Sequence, residues 1–166
     1  GEDVPRGERG EVLMKSAQII KGYLNRPEAT AETIVDGWLY SGDIGFIDED
    51  GFLYIVDRAK DMVLRGGENI TCSEVETVLF QHPAVAEAAV FSVPDDKLGE
   101  EVGAAIFPAE GATLGAEELR AFSRDRLAAY KIPRYIWIVD APLPRNASGK
   151  FLKKDLQAQL NTEQAA

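Results

Sequence analysis

Sulfur and histidine are scarce in this chain of 166 residues, which holds one cysteine, Cys72, two methionines and one histidine, His82. A single cysteine excludes an internal disulfide and any multi-cysteine metal cage, so a reducing compartment is compatible with the chain. No apolar run approaches the roughly 20 residues needed to cross a bilayer. Gly1 to Arg9 is charged and glycine-rich without an apolar centre, so it does not form a secretory signal. A cytoplasmic protein is expected. The formal net charge of -10 argues against sequence-independent binding of nucleic acid, which depends on neutralising phosphates with Lys and Arg. A local cationic site for a small anion remains open, because Lys131, Arg134, Arg145, Lys150, Lys153 and Lys154 crowd the last third. The same crowding also suits a solvated basic face.

The apolar pattern divides the chain. Gly10 to Lys15, Trp38 to Asp48 and Phe52 to Val56 read as strands, the last two joined by the turn-rich Asp48-Glu49-Asp50-Gly51. Asp57 to Asp61 is a polar interruption, and Met62 to Leu64 resumes an extended pattern that stops at Gly66-Gly67. Thr71 with Glu74 spells a capping box ahead of Val75, Val78 and Leu79 at helical spacing, and Pro83 follows. Val85 to Val93 and Val102 to Pro108 read as strands, Ala116 to Ala129 as a helix, Tyr135 to Val139 as a strand and Phe151 to Leu160 as a last helix. This order predicts an α+β fold, a small mixed sheet with packed helices, after a mainly β segment. Asn161 to Ala166 is expected to fray.

Three short stretches carry chemistry. In Tyr40-Ser41-Gly42-Asp43, a carboxylate beside a glycine suits either a bend or the pair of neighbouring hydroxyls of a ribose. In Asp57-Arg58-Ala59-Lys60-Asp61, Arg58 offers a forked donor, and the nearby Gly66-Gly67 leaves bare backbone for a ligand or a tight turn. In Pro144-Arg145-Asn146-Ala147-Ser148-Gly149-Lys150, a lysine on a flexible loop can place a compact charge against developing negative charge, or can be a surface lysine at a helix start. The last stretch is not a Walker loop, since no glycine precedes Gly149 by five and Phe151 stands where Ser or Thr would hold magnesium. His82, before Pro83, is read as a local cap or a solvent-exposed side chain and Cys72 as a small packing residue, rather than as acid-base or nucleophilic groups.

Taken together and in this order, the three stretches resemble the superfamily of acyl-CoA synthetases, peptide-synthetase adenylation domains and beetle luciferases, from Gly10 to about Leu156. The resemblance implies a two-step ligase: ATP and a fatty or aryl acid give an acyl-adenylate and pyrophosphate, and a thiol then displaces AMP. Asp43 would bind the ribose hydroxyls of ATP with support from Arg58. Lys150 would reach the carboxylate and the α-phosphate, and Lys60 matches the hinge about which the small domain turns. Gly66 and Gly67 would line the pantetheine passage, and Tyr130, Lys131 and Arg134 would approach the nucleotide end of coenzyme A. Residues 1–59 would be the tail of a large N-terminal domain and 60–166 the mobile lid.

The sequence also departs from that superfamily. It has no Ser/Thr/Gly-rich phosphate loop ending in Pro-Lys-Gly, no aromatic-Gly-x-Thr-Glu segment for Mg2+ and no acyl pocket, and Asp57 stands where many members have Gly. ATP and Mg2+ would therefore be held mainly by an N-terminal part of the same enzyme, coenzyme A would be co-substrate, and the chain alone would be inactive. Two other readings stay open. One is an adenylation domain that loads a carrier protein, and the other is a non-catalytic lid-like module that binds a partner or nucleotide.

Overall fold

In the computed structural model of the protein the described residues are 2–160 and 162–166; Gly1, Asn161 and the side chain of Lys60, the expected hinge, lie outside them. The chain forms two compact units, Gly1–Lys60 and Asp61–Ala166.

The first unit is a four-stranded antiparallel sheet centred on β3 (Trp38–Ile47). One edge of β3 carries β1 (Gly10–Met14), and the other carries β2 (Ile34–Val35) and β4 (Leu53–Arg58). The β3–β4 turn is closed by Asp48, whose carboxylate accepts the Phe52 amide at 2.8 Å. Strand β4 runs further than its apolar residues indicate, because Asp57 and Arg58 pair with Ile44 and Asp43. Gly45 is required where it stands: a Cβ there would lie 2.6 Å from the Tyr54 carbonyl. A short helix, α1 (Pro27–Thr33), precedes β2 with proline in its first turn. The chain's patterning gave no sign of it, since it has no buried residue.

The second unit is built on a long hairpin, β7 (Val85–Asp95) with β8 (Gly99–Pro108). The far edge of β8 pairs in parallel with β9 (Tyr135–Ile138) and touches β5 (Met62–Arg65) through Arg65 and Gly99. Outside β5 lies β6 (Glu68–Thr71), giving a mixed five-stranded sheet in an α+β fold. Residues Ala88 and Val90 face α2 (Cys72–Phe80) and α3 (Ala116–Arg124), whereas Ala89, Phe91 and Val93 join Trp137, Leu143 and Leu156 of α4 (Lys153–Gln159). Burial on both faces is why β7 reads as an apolar run rather than an alternating one.

Three expectations need correcting. The capping box does not form: Thr71 makes no side-chain capping bond, because Glu74 is held instead by Lys131 Nζ at 2.6 and 2.8 Å. The helix expected over Ala116 to Ala129, α3, stops at Arg124, and a turn plus a short 3-10 segment, Ala129–Lys131, follow it. The C-terminus does not fray throughout: Ala165 packs on the cluster around Trp137 and the Ala166 amide donates to the Ile136 carbonyl at 3.1 Å. Asn161 lies outside the described residues.

Gly103 in β8 sits under the stacked rings of Phe91 and Trp137, whose centroids are 5.7 Å apart. A Cβ there would lie 2.6 Å from Val93 and 3.0 Å from Trp137. Gly103→Ala is therefore expected to destabilise the unit by about 1–3 kcal/mol through overpacking, seen as a lower urea midpoint at unchanged m-value. An unchanged midpoint would mean that these strands part easily.

Candidate functional site

Strands β3 and β4 bring two of the sequence-predicted residues together. Asp43 and Arg58 are direct cross-strand partners, and Arg58 Nε donates to Asp43 Oδ1 at 3.1 Å. The guanidinium also donates to the Ser41 carbonyl at 3.4 Å. Both side chains are more than a third exposed, so the pair contributes at most about 1 kcal/mol and serves position more than stability. Gly42 has φ +70°, a conformation that glycine adopts freely, and a Cβ on it would meet nothing within 4 Å. Its amide donates to Glu11 Oε1 at 3.0 Å, and the Asp43 amide to Ser41 Oγ at 3.0 Å. These residues line an open cleft of about 600 Å³ together with Met14, Tyr23 and Leu39. The arrangement offers acceptor oxygens of one carboxylate, backed by a cation, to a ligand with adjacent hydroxyls.

In the second unit the basic residues are mostly neutralised. Lys131 pairs with Glu74, Arg134 with Asp95 and Glu101, Arg145 with Glu87 and Lys153 with Glu76. Burial opposes the charge of Lys153, but Glu76 at 2.8 Å and nearby acidic groups more than offset it and raise its pKa. Lys150 and Lys154 are exposed and make no ion pair among the described residues.

Lys150 ends a tight turn rather than a loose loop. Asn146 Oδ1 accepts the amides of Ser148 at 3.0 Å and Lys150 at 2.9 Å, the Asn146 amide returns to the Lys150 carbonyl at 2.9 Å, and Arg145 bridges to Phe151. The flexibility expected of this Gly-Ser stretch is replaced by an Asx-type closure.

Gly66 and Gly67 form the two-residue turn of the β5–β6 hairpin, with φ +58° and +92°. Positive φ at both positions is the pattern of a type I′ turn. The Gly66 amide donates to the Leu98 carbonyl at 2.9 Å, which ties this turn to the β7–β8 turn. Arg65 forms a forked pair with Glu101 at 2.7 and 3.0 Å, and that hydrogen bonding holds the guanidinium pKa above its ordinary value. Arg134 reaches the same network, whereas Lys131 lies apart on Glu74 and Tyr130 is partly exposed beside it. His82 is buried, with Nδ1 accepting the Ala84 amide at 3.3 Å and its ring edge-on to Phe122, and Cys72 is buried in the core.

Sequence reasoning missed Glu11, Ser41, Glu87 and Glu101. Glu87 carried a signal, since it alone interrupts the apolar run Val85 to Phe91, whereas Glu101 follows Glu100 at the start of its strand and did not stand out. Among the described residues no group of three or more His, Cys, Asp or Glu could hold a metal ion, and no helix is long and apolar enough to cross a membrane.

The family described as "AMP-binding enzyme C-terminal domain" matches residues 74–150. Residues 74–150 thus carry the C-terminal domain of AMP-binding enzymes. The chain is 46% identical over 157 residues to a feruloyl-CoA synthase of an Amycolatopsis species, which covers 95% of the chain and 32% of that enzyme. The o-succinylbenzoate CoA synthetase of Bacillus subtilis in complex with its acyl-adenylate superposes with a TM-score of 0.82 at 42% identity, over 93% of this chain and 31% of that one. An amide bond synthetase from Marinactinospora thermotolerans does so at 0.83 and 40% identity, over 97% and 33%. The chain thus spans about a third of the length of the enzymes it matches.

In this AMP-binding enzyme domain, Asp95 links the Gly66-Gly67 turn to Arg134. Its Oδ1 accepts the amides of Lys97 and Leu98 at 3.0 and 2.9 Å, and its Oδ2 lies 3.2 Å from Arg134. The backbone bonds first, and then the two guanidinium groups, lower its pKa. A carboxylate depressed in the folded state stabilises above its unfolded pKa of about 4 and loses that contribution as pH falls through the folded value. Asp95→Asn should therefore flatten the decline in stability between pH 5 and pH 3 (about the carboxylate range), measured by urea unfolding at each pH. An acid slope equal to that of the parent would remove Asp95 from this role.

Proposed function

We propose that the protein containing this chain is an AMP-forming acid–thiol ligase that activates a fatty or aryl carboxylic acid with ATP and transfers the acyl group to coenzyme A. The observation that carries the reading is Lys150: it tops a closed turn and makes no ion pair among the described residues, while Arg145 and Lys153 near it in sequence are held by carboxylates. A compact ammonium held this way suits stabilisation of the charge that develops as carboxylate attacks the α-phosphate. Asp43, steadied by Arg58, suits the ribose hydroxyls of ATP, and the open cleft beside Gly42 suits close approach of that sugar.

In this reading residues 1–59 complete a large nucleotide-binding domain and 60–166 are the lid, turning about Lys60. Gly66 and Gly67 would border the pantetheine arm. Tyr130 and Arg134 would meet the nucleotide end of coenzyme A, and Lys131 would do so only by exchanging Glu74 for the ligand. Mg2+ would be held mainly by residues of the longer enzyme, since the aromatic-Gly-x-Thr-Glu segment that would hold it does not occur in this sequence. A cytoplasmic location suits these substrates. Relatives named as CoA ligases favour a thiol acceptor; the likeness to an amide bond synthetase makes an amine the alternative acceptor, and supplying each acceptor to preformed acyl-adenylate separates the two.

In the full-length enzyme, Lys150→Ala should slow acid-dependent pyrophosphate exchange by a factor of about 100–1,000, with far less effect on thioester formation from supplied acyl-adenylate. Equal loss in both half-reactions would contradict the assigned role. Lys60→Pro should act in the opposite sense, because proline fixes φ near about -65° and restricts Ala59 as well. Exchange should survive and transfer to coenzyme A should collapse; full transfer by this variant would place the hinge elsewhere in Asp57–Asp61.

A further inference from the structure

The internal bonds of the Lys150 turn set its shape but not its attitude on the domain. That attitude depends on contacts with the sheet, and one side chain supplies two of them. Glu87 lies near the start of β7, opposite Phe107 of β8, and its side chain is 19% exposed. Its Oε2 accepts the Leu143 amide at 2.7 Å, which fixes the chain just before the turn. Its Oε1 accepts from one terminal nitrogen of Arg145 at 3.0 Å. The other terminal nitrogen of Arg145 donates to the carbonyl of Gly149 at 2.8 Å, one residue before Lys150, and the guanidinium lies 4.0 Å over the Phe151 ring.

We propose that Glu87 is a positioning residue for Lys150, acting through the planar fork of Arg145 on the Gly149 carbonyl. The inference rests on the reading of Lys150 as the adenylation lysine. An unbranched side chain such as lysine carries its ammonium on four rotatable bonds, so the point from which it starts must be fixed if the charge is to meet a reacting phosphate. A guanidinium is suited to that task because its donors diverge at set angles, one toward the sheet and one toward the turn. Placing a buried-side carboxylate at the sheet end makes both bonds charge-assisted or aligned by charge.

A residue that acts through Lys150 must lose its effect once the ammonium is gone. Four full-length enzymes separate this from a merely structural role: the parent, Glu87→Gln, Lys150→Ala and the double variant. Glu87→Gln should lower kcat for acid-dependent pyrophosphate exchange about 10- to 100-fold, the range for a small displacement of a reacting group, with little change in KM for ATP. Thioester formation from supplied acyl-adenylate should stay within about twofold of the parent, since that step does not use the lysine in this reading. In the Lys150→Ala background, Glu87→Gln should cause no further loss of exchange. If the two losses multiply, or if Glu87→Gln slows both half-reactions alike, Glu87 is only a structural carboxylate and the proposal is wrong while the role of Lys150 stands. If Lys150→Ala leaves exchange intact, the functional reading and this inference fall together. Should Glu87→Gln not fold, Arg145→Gln cuts the same link from the 43% exposed side and must give the same pattern, with any other pattern overturning the link.

Discussion

The β7–β8 ladder is the element on which the rest of the second unit depends. Its two strands pair from Val85 with Pro108 to Asp95 with Gly99, and every other strand of that sheet attaches through β8 or through β5 beyond it. Both of its faces are covered, one by α2 and α3 and the other by α4, which leaves the outer edge of β7 as the place where unpaired backbone would meet solvent or another strand. Side chains close that edge: Glu76 accepts the Val90 amide at 2.8 Å and Gln157 donates to the Ser92 carbonyl at 2.9 Å. The edge covering also places chemistry, because Glu76 holds Lys153 at the start of α4.

A second constraint is electrostatic. Carboxylates set into this scaffold each fix a cation: Glu76 fixes Lys153, Glu87 fixes Arg145, and Glu101, only 2% exposed, fixes Arg65 with a forked pair. A buried carboxylate left alone would be strongly destabilising, so each pairing is obligatory once the acid is inside. The outcome is selective. Arg65, Arg145 and Lys153 are thereby committed to carboxylates, whereas Lys150 makes no ion pair among the described residues and ends a turn that Glu87 anchors through the Leu143 amide and Arg145.

What could be read from the sequence follows the same physics. Apolar runs at β7, β8 and β9 were legible because burial demands them, and α2 was legible from Val75, Val78 and Leu79. The strand Glu68–Thr71 was not, since Ile70 is its one apolar core residue and the rest of its place is set by cross-strand pairing to Met62–Arg65 through a two-glycine turn. The capping-box pattern misled because Glu74 has a stronger partner in Lys131, which is 57 residues away in sequence and near only in the fold. At the site, Asp43, Arg58 and Lys150 could be singled out by type and by resemblance to a family. Their supports could not, because the value of Ser41, Glu11 or Glu87 lies in what stands opposite each one, and that is decided by strand register.

Register also bears on how one small unit could serve two half-reactions. The Lys150 turn is anchored at Glu87 and the Gly66-Gly67 turn at Asp95 and Leu98, eight residues further along the same strand and its turn. At about 3.3 Å per residue these anchors are roughly 25 Å apart, much more than the reach of a lysine side chain. Both turns belong to one compact unit whose sheet runs between them, so bending the sheet to bring them together would break ladder pairs and core packing. If Lys150 assists formation of an acyl-adenylate and the glycine turn admits the thiol to the same carbonyl carbon, the two cannot act from one pose. On the proposed function the unit would present first one end of its ladder and then the other, and the short 3-10 segment Ala59–Asp61, between β4 and β5 at the division of the two units, is the candidate to absorb the change of angle.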